Sequence, residues 1–528
     1  MQDPHALQVL VVLGVAVVGL TWLAGRLRIA APIVLLLGGV PLAFIPWTGS
    51  VVLPPEVVLL LFLPALLYWE SLSTSLREIR ANLRTVVLSS VVLVLCTAAT
   101  VALVGHALGL SWPVAWILGA VVAPTDATAV SAVAGQLPRR TLTTLRAESL
   151  VNDGTALVVF GLAVAVATGE AQFTWPVAIG AFVLSYAGGA AAGLVVFWLL
   201  VQTRKLVCQP VVQNVCTVLA PFAAFLLAEQ VHASGVLAVV VCGLAFSQAG
   251  PRMVTARTRL QSRGFWEIAT FVLNGTLFVL VGLQLRGAVD GLWSTSIGDA
   301  VLQALLVAGV VIGTRVAWSY TMPYVIRALD RRPQQRLRRV GARHRFPSAW
   351  AGFRGGVSLA AALAVPLDVP GRDLIVLVTF GVILVTMIVQ GLTLPAVLRW
   401  ANLPDDGAEA REQALAERTA TRTGLAELDR VAEQLGIGAT VVERVRADYE
   451  EHLHSLSDPA PGDDPALTAE RTDHTDYQRL RSALLTYKRA SVVRLRDERQ
   501  IDDIVLRRLQ ARLDAEEVRL GEPAADVE

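Results

Sequence analysis

The sequence predicts an all-α, polytopic membrane protein with about thirteen transmembrane helices and a helical cytoplasmic tail. Of its 528 residues, 54% are hydrophobic and only 17% are charged, and the mean hydropathy is +0.57. This composition is far more apolar than that of a soluble domain of the same length. Acidic residues are sparse as far as Arg399 and dense beyond it. We therefore expect a membrane domain over residues 1–402 and a cytoplasmic helical tail over residues 403–528.

Apolar stretches of about 20 residues, the length that crosses the hydrocarbon core as a helix, define the predicted spans. The first of them is too long for a signal-peptide core and no basic region precedes it, so we interpret it as the first spanning helix. The predicted spans lie near 5–24, 30–48, 51–70, 85–109, 112–135, 147–168, 174–201, 212–230, 234–250, 265–285, 299–325, 348–366 and 372–399.

The loops test this assignment, because Lys and Arg collect on the cytoplasmic side of a membrane protein. Basic residues fall in every second loop, and the intervening loops contain chiefly Arg286 and Arg372. The basic loops contain Arg26 and Arg28; Arg77, Arg80 and Arg84; Arg139, Arg140 and Arg146; Arg204 and Lys205; Arg252, Arg257, Arg259 and Arg263; and the run from Arg327 to Arg345. The alternation would fail if one span were missed. It predicts an external N-terminus and a cytoplasmic tail.

The chain also predicts two inverted repeats, formed by the fourth to sixth and the eleventh to thirteenth spans. The middle member of each trio is interrupted, by a Pro-Thr-Asp sequence at 124–126 and by a Gly-Phe-Arg-Gly-Gly sequence at 352–356. Such interruptions free backbone groups that must be satisfied by a cavity, an ion or a neighbouring helix. Broken helices at corresponding positions of two repeats indicate a transport site.

The sixth predicted span contains acidic residues where lipid-facing helices have none. A carboxylate at the centre of a transmembrane helix costs about 2.5 to 3.5 kcal/mol even on insertion scales, so it usually serves function. Ser149 and Asp153 are four residues apart and share one helix face, whereas Glu148 and Asn152 form a second pair about 100° away. A hydroxyl and a carboxylate are typical ligands of a hard cation. We therefore predict a cation site at Ser149 and Asp153.

Polar residues on two other spans are candidates for the same site. Pro124 removes a backbone donor from the fifth span and leaves carbonyl groups that can coordinate an ion. Asp126 follows Pro124 and Thr125, and capping of the second half-helix is compatible with ion binding there. Glu70, at the end of the third span, lies either at the membrane interface or in the site.

Two arginines lie inside predicted spans and are expected to pair with buried acids. Arg315 belongs to the eleventh span and Arg354 to the twelfth. An arginine stays protonated at any working pH, so neither residue can carry a proton. We interpret both as fixed counter-charges that balance Glu148 and Asp126 and leave Asp153 free to exchange its ligand.

The runs Ala123–Val130 and Glu148–Asp153, together with Arg315 and the run Phe353–Gly356, resemble the signature regions of the NhaP/NHE branch of monovalent cation/proton antiporters. The resemblance covers residues 5 to 400. One departure is Ala127, where the family commonly has a second proline. The resemblance implies an NhaA-like fold with two crossed discontinuous helices. It also implies a homodimer in which a six-helix core moves across the membrane.

The same resemblance implies a role for each polar residue of these runs. Asp153 is the carboxylate that exchanges its ligand, and Asn152 marks the electroneutral branch, in which one sodium ion exchanges for one proton. Glu148 and Arg315 form a structural bridge between core helices. The Na⁺ site is completed, directly or through water, by Thr125, Asp126, Ser149 and Glu70.

We therefore predict a secondary antiporter that exchanges Na⁺ for H⁺ across the plasma membrane, with an elevator-type alternating-access mechanism and competition between the two ions at Asp153. The sequence does not distinguish Na⁺ from Li⁺ or K⁺ as the transported cation. A cation channel is less favoured because it would require a selectivity ring and a continuous pore. An intramembrane hydrolase requires a nucleophile beside a base or a metal pair, and the only candidate histidines, His106 and His232, lie near the opposite face. We expect no enzymatic activity.

The remaining expectations concern partners and the tail. We expect no cofactor besides the transported Na⁺ and H⁺, no nucleic acid, and contacts with membrane lipid and a second copy of the chain. The tail is interrupted by a Pro/Gly/Asp-rich segment at 458–465. Ile501, Val505, Leu509 and Leu513 follow helical spacing, which predicts packing against a neighbour or self-association. A regulatory ligand or protein at the tail is a further possibility.

Overall fold

The computed structural model describes residues 4–45, 57–126, 139–207, 209–290, 297–329, 341–402, 408–455 and 471–521. All regular elements of these residues are helices. The first seven are α1 (Pro4–Leu27), α2 (Ala31–Leu42), α3 (58–73), α4 (Leu76–Ala81), α5 (Leu83–Ala107), α6 (Trp112–Val122) and α7 (Arg139–Ala167). The next eight are α8 (Trp175–Leu206), α9 (Pro210–Gln230), α10 (Gly235–Met253), α11 (Ala256–Asp290), α12 (Ile297–Leu329), α13 (Ala342–Trp350), α14 (Gly356–Leu363) and α15 (Arg372–Ala401). The tail contains α16 (Ala408–Leu435), α17 (Ala439–Ser455), α18 (Arg471–Asp497) and α19 (Asp503–Gly521).

A helix or a pair of half-helices lies at every predicted span. Within the described residues, nine helices are long and apolar enough to cross a membrane. The shorter apolar helices α2, α3 and α6 and the pair α13 and α14 occupy the other predicted positions. The prediction of an all-α polytopic membrane protein is therefore confirmed. Ala127 and the rest of the predicted fifth span lie outside the described residues.

Several helices begin or end well beyond the predicted spans. The sixth predicted span starts at residue 147, whereas α7 begins at Arg139. The tenth predicted span covers 265–285, whereas α11 extends from Ala256 to Asp290. Hydropathy marks only the part of a helix that lies in hydrocarbon, and these helices continue into polar ends with arginines.

Close contact between glycines joins α2 to α11. A Cβ atom added at Gly39 would overlap the carbonyl oxygen of Val279, and one added at Gly282 would overlap that of Leu36. Small residues at such a crossing allow helix backbones to approach in the membrane, where van der Waals packing drives association. α2 and α11 therefore form one tightly packed pair.

Four buried apolar clusters lie in the part of the membrane domain that the structure describes. One contains residues of α5, α6, α12 and α15, and a second contains residues of α3, α8, α9 and α10. The third joins α2, α11, α14 and α15 through side chains such as Leu36, Leu277, Leu359 and Ile383. A fourth, smaller cluster contains Val94, Ala98, Ala123 and Ala156. Ala351 and Phe353 of the second interruption belong to the third cluster.

The tail helices pack against each other and against the membrane domain. Ile501 and Val505 are fully buried, and Leu509 is 4% exposed. Their cluster includes Ala416 and Ala420 of α16. Their helical spacing therefore serves packing within the tail, one of the two outcomes predicted.

Polar contacts fix α19 to the ends of membrane helices. The Asp514 carboxylate accepts hydrogen bonds from Arg259 at the start of α11, with an N–O distance of 2.7 Å for Arg259 Nε. Ser75 Oγ donates to Asp502 Oδ2 at 2.6 Å. Arg507 donates to backbone carbonyl groups that follow Glu70 at the end of α3. The tail is thus attached to the helix that carries Glu70.

The stability of the tail should depend on Lys488. This side chain is 7% exposed, and its Nζ atom lies 4.1 Å from the centroid of the Tyr449 ring. Burial lowers the pKa of Lys488 from 10.5 to about 8, against the smaller opposing effect of Glu516. Between these two pH values the unfolded tail binds this proton while the folded tail does not, so folded stability rises with pH.

We predict that Lys488→Met raises the tail's unfolding temperature at pH 7 and abolishes its rise between pH 8 and 10. The effect is limited to about 3 kcal/mol, the free energy that corresponds to a shift of this size. Differential scanning calorimetry of the full chain in detergent measures it. Lys205→Met, at the exposed end of α8, is the control. An unchanged pH profile in Lys488→Met would contradict the prediction.

Candidate functional site

The two helix interruptions meet directly at the centre of the membrane domain. α6 ends at Val122, and the chain continues without regular structure to Asp126. α13 ends at Trp350 and α14 begins at Gly356. The backbone N–H of Asp126 donates a hydrogen bond to the carbonyl oxygen of Phe353 at 2.8 Å. The backbone groups freed by one interruption are therefore partly satisfied by the other.

Arg354 completes this junction by binding the end of α6. Its Nε donates to the carbonyl oxygen of Val122 at 2.9 Å, and Nη2 donates to that of Ala123 at 3.2 Å. A third hydrogen bond goes to the carbonyl oxygen of Gly352. The last carbonyls of a helix lack intrahelical partners and carry partial negative charge, which a guanidinium satisfies.

This geometry corrects the partner that we expected for Arg354. The residue was predicted to balance the Asp126 carboxylate, but its hydrogen bonds go to carbonyl oxygens. The reason is physical: an interrupted helix in an apolar environment exposes carbonyl groups, and the nearest buried cation binds them. Arg354 is 2% exposed, so its charge is held in place and is shielded from solvent.

Glycines allow the junction to close. A Cβ atom added at Gly355 would overlap the Oδ2 atom of Asp126, and one added at Gly352 would lie 2.5 Å from Cδ of Arg315. The Asp126 carboxyl group therefore lies against the backbone of the second interruption. No other residue type leaves room for it there.

Glu148 and Arg315 form a buried ion pair between α7 and α12. The distance between Arg315 Nη1 and Glu148 Oε1 is 2.5 Å, and the two side chains are 5% and 8% exposed. Each charge would be costly alone in this environment, and each is balanced by the other. The pair also ties the third helix of the first predicted repeat to the first helix of the second.

Ser149 and Asn152 hold the first interruption against α7. Ser149 Oγ donates to the carbonyl oxygen of Thr125 at 2.9 Å. Asn152 Nδ2 donates to Thr125 Oγ1 at 2.7 Å. Asn152 thus acts on Thr125, and its own side chain does not line the cavity described next.

A small cavity of about 40 Å³ lies at the junction. A cavity needs roughly 10 to 15 Å³ to hold one water molecule, so this space can hold an ion with a few waters. Five residues predicted from the sequence line it, namely Glu70, Thr125, Asp126, Ser149 and Asp153. Asp153 is 5% exposed. Its carboxylate makes no hydrogen bond or ion pair with the part of the chain that the structure describes.

The chemistry of this cavity suits a hard cation or protons. Its polar lining consists of carboxyl, hydroxyl and amide groups, which are ligands for alkali and alkaline-earth ions. Carboxylates that share one buried site repel each other, and this repulsion favours a bound cation or proton. Among the described residues, no three His, Cys, Asp or Glu side chains form a metal-ligand group by themselves, so hydroxyl, amide or water oxygens must complete the coordination of a cation here.

Several further lining residues are not identified from the sequence, among them one amide and one hydroxyl side chain. Asn274 and Leu277 come from α11, and Ser358 comes from the first turn of α14. Asn274 could have been noticed as a lone amide in an apolar span. Its contact with the cavity could not have been predicted, because α11 lies outside both predicted repeats.

The end of one membrane helix and the interruption of another meet at a buried, carboxylate-lined cavity, which is typical of a secondary ion transporter. Comparison with known proteins agrees. A family model described as "Sodium/hydrogen exchanger, transmembrane" matches residues 12–400. The chain belongs to this family, and the resemblance predicted from its motifs is confirmed.

The relatives extend over most of the chain. An uncharacterized Na⁺/H⁺ exchanger of Mycobacterium tuberculosis is 47% identical over 98% of this chain and 97% of its own length. The Na⁺/H⁺ antiporter ApNhaP of Aphanothece halophytica is 31% identical over 76% of each chain. The solved sodium proton antiporter MjNhaP1 from Methanocaldococcus jannaschii aligns with a TM-score of 0.58 and 19% identity, over 76% of this chain and all of that one. The last match supports the fold.

The contact between Gly355 and Asp126 gives a first test of the site. We predict that Gly355→Ala lowers cation/proton exchange at least tenfold, because the added methyl group displaces the Asp126 carboxyl group. Exchange is measured with a pH-sensitive dye in proteoliposomes. Gly313→Ala in α12 is the control, since a Cβ atom there meets nothing within 4 Å. Wild-type exchange by Gly355→Ala would show that the close contact is unimportant.

Proposed function

We propose that the protein exchanges Na⁺ for H⁺ across the plasma membrane, and that both ions compete for the Asp153 carboxylate. The observation that supports this most directly is the position of Asp153. It lies in a buried cavity with Thr125, Ser149 and two further carboxyl groups, and it has no fixed counter-charge among the described residues. The name of the relative ApNhaP, a Na⁺/H⁺ antiporter, agrees with this proposal.

The exchange follows from the cost of buried charge. An empty, ionised site is costly to carry through the hydrocarbon region, whereas a site occupied by a proton or a cation has less net charge. A ligand therefore accompanies each passage of the site. Because one carboxylate binds either ion, entry of Na⁺ from one side requires loss of the proton, and the fluxes are coupled.

The moving unit that we propose consists of α5–α7 and α12–α15. The bonds of Arg354 to the end of α6 and of Glu148 to Arg315 hold these helices together. α2 and α11 form the facing wall through their glycine contact. An elevator-type movement of the first unit along this wall would expose the cavity alternately to each side.

Asn152 supports a one-for-one, electroneutral exchange. Its amide is uncharged and it holds Thr125 in place, so it adds neither a proton site nor a charge to the cavity. K⁺ or Li⁺ could occupy the same oxygen ligands. The ion selectivity is measured by comparing the exchange rates that Na⁺, K⁺ and Li⁺ gradients drive in the same vesicles.

We further propose that the protein is a homodimer with an external N-terminus and a cytoplasmic tail. Large apolar side chains are exposed along α1 and α8, such as Leu10 at 69% and Trp175 at 72%. Such surfaces suit lipid or a second copy of the chain. We propose no cofactor besides the transported ions. A regulatory ligand or protein would bind at the tail.

Removal of the Asp153 carboxylate tests the proposed function. We predict that Asp153→Ala lowers exchange more than 100-fold, because no other group replaces the shared ligand of Na⁺ and H⁺. Proteoliposomes with an imposed pH gradient are assayed with and without a voltage clamp. Asp373→Ala removes an exposed carboxylate at the start of α15 and serves as the control. Sustained exchange by folded Asp153→Ala, judged by size-exclusion chromatography, would contradict the mechanism.

A further inference from the structure

We infer that Asn274 of α11 supplies an additional oxygen ligand to the cation at Asp153, directly or through one water. The inference rests on the proposed function, because it concerns the same cavity. It adds a ligand from a helix that carries none of the signature runs. Its first support is position: Asn274 lines the cavity that also contains Asp153 and Ser149.

The packing of α11 fixes this position. Leu277, three residues after Asn274, lies on the same helix face and also lines the cavity. A Cβ atom added at Gly356 would overlap the Leu277 side chain, so α11 contacts the beginning of α14 at this level. The face of α11 that carries Asn274 is therefore directed toward the junction of the interrupted helices.

The second support is an unsatisfied oxygen. The Oδ1 atom of Asn274 is buried and has no hydrogen-bond partner among the described residues. Most buried polar atoms are hydrogen-bonded, so an exception needs a physical reason. A cation in the cavity provides one, because an amide oxygen is a good ligand for a hard cation.

The chemistry of an amide suits this task. Its oxygen contributes to coordination but brings no charge, so it strengthens cation binding without adding a protonatable group. A protonated Asp153 can give this oxygen only one neutral hydrogen bond, which is weaker than the contact of the same oxygen with a full positive charge. Asn274 therefore favours the cation over the proton in their competition. It is a ligand of the ion and not a participant in proton transfer.

The location of Asn274 adds a directional consequence. α11 packs against α2 and belongs to the proposed wall, whereas Asp153 belongs to the proposed moving unit. The Asn274 ligand is available only while Asp153 faces this part of α11. Cation affinity then differs between the two orientations of the site.

The test compares the apparent KM for Na⁺ with the maximal exchange rate in proteoliposomes. Asn274→Leu keeps the side chain's size but removes the oxygen. We expect its KM to rise about tenfold at constant pH, while the rate at saturating Na⁺ changes less than twofold. A structural defect would instead lower the maximal rate. A KM equal to that of the wild type would overturn the inference.

Two further variants separate the ligand role from other effects. Asn274→Asp retains an oxygen, and we expect a KM equal to or below that of the wild type; a tenfold increase would overturn the inference. Gln390→Leu removes another fully buried amide, whose atoms lack hydrogen-bond partners among the described residues and which does not line the cavity. Its KM should be unchanged. If the wild type shows no cation-driven proton movement, the proposed function fails; normal wild-type exchange with an unchanged KM in Asn274→Leu refutes only the inference.

Discussion

The site depends on one constraint, namely that backbone groups freed inside a membrane must find partners. α6 ends where the chain between α13 and α14 is interrupted, and each segment supplies what the other lacks. The N–H group of Asp126 binds the carbonyl of Phe353, and the Arg354 guanidinium binds the last carbonyls of α6. Because these bonds satisfy the broken backbones, the chain can hold a polar cavity where an intact helix would present only apolar side chains.

The buried charges divide into fixed and exchangeable groups as a result. Arg315 is neutralised by Glu148, and Arg354 is satisfied by carbonyl dipoles. Neither cation is directed at Asp153, which shares its cavity with other oxygen ligands and has no fixed counter-charge in the described chain. Such a carboxylate is stabilised most by a ligand that binds reversibly. Reversible binding is what exchange between Na⁺ and H⁺ requires.

The sequence predicts the fold class, the two interruptions and five of the residues that line the cavity, because each depends on local composition or on helical spacing. It does not predict the partner of Arg354, since the sequence indicates free carbonyl groups near Pro124 but not which side chain reaches them. It also does not predict that Asn274 lines the cavity, because the position of α11 is decided by its contacts with α2 and with the beginning of α14. The observed ends of helices such as α7 differ from the predicted ones, because the apolar stretch ends where the helix continues as polar turns.

The central claim is that Na⁺ and H⁺ share the Asp153 carboxylate. Calorimetric titration of the purified protein with Na⁺, in several buffers of different ionisation enthalpy, counts the protons released on binding. We predict release of about one proton for each Na⁺ bound when the titration begins from the protonated protein, and no release from Asp153→Asn. Na⁺ binding that releases no proton from the wild type at any pH, or equal release from Asp153→Asn, would contradict the account.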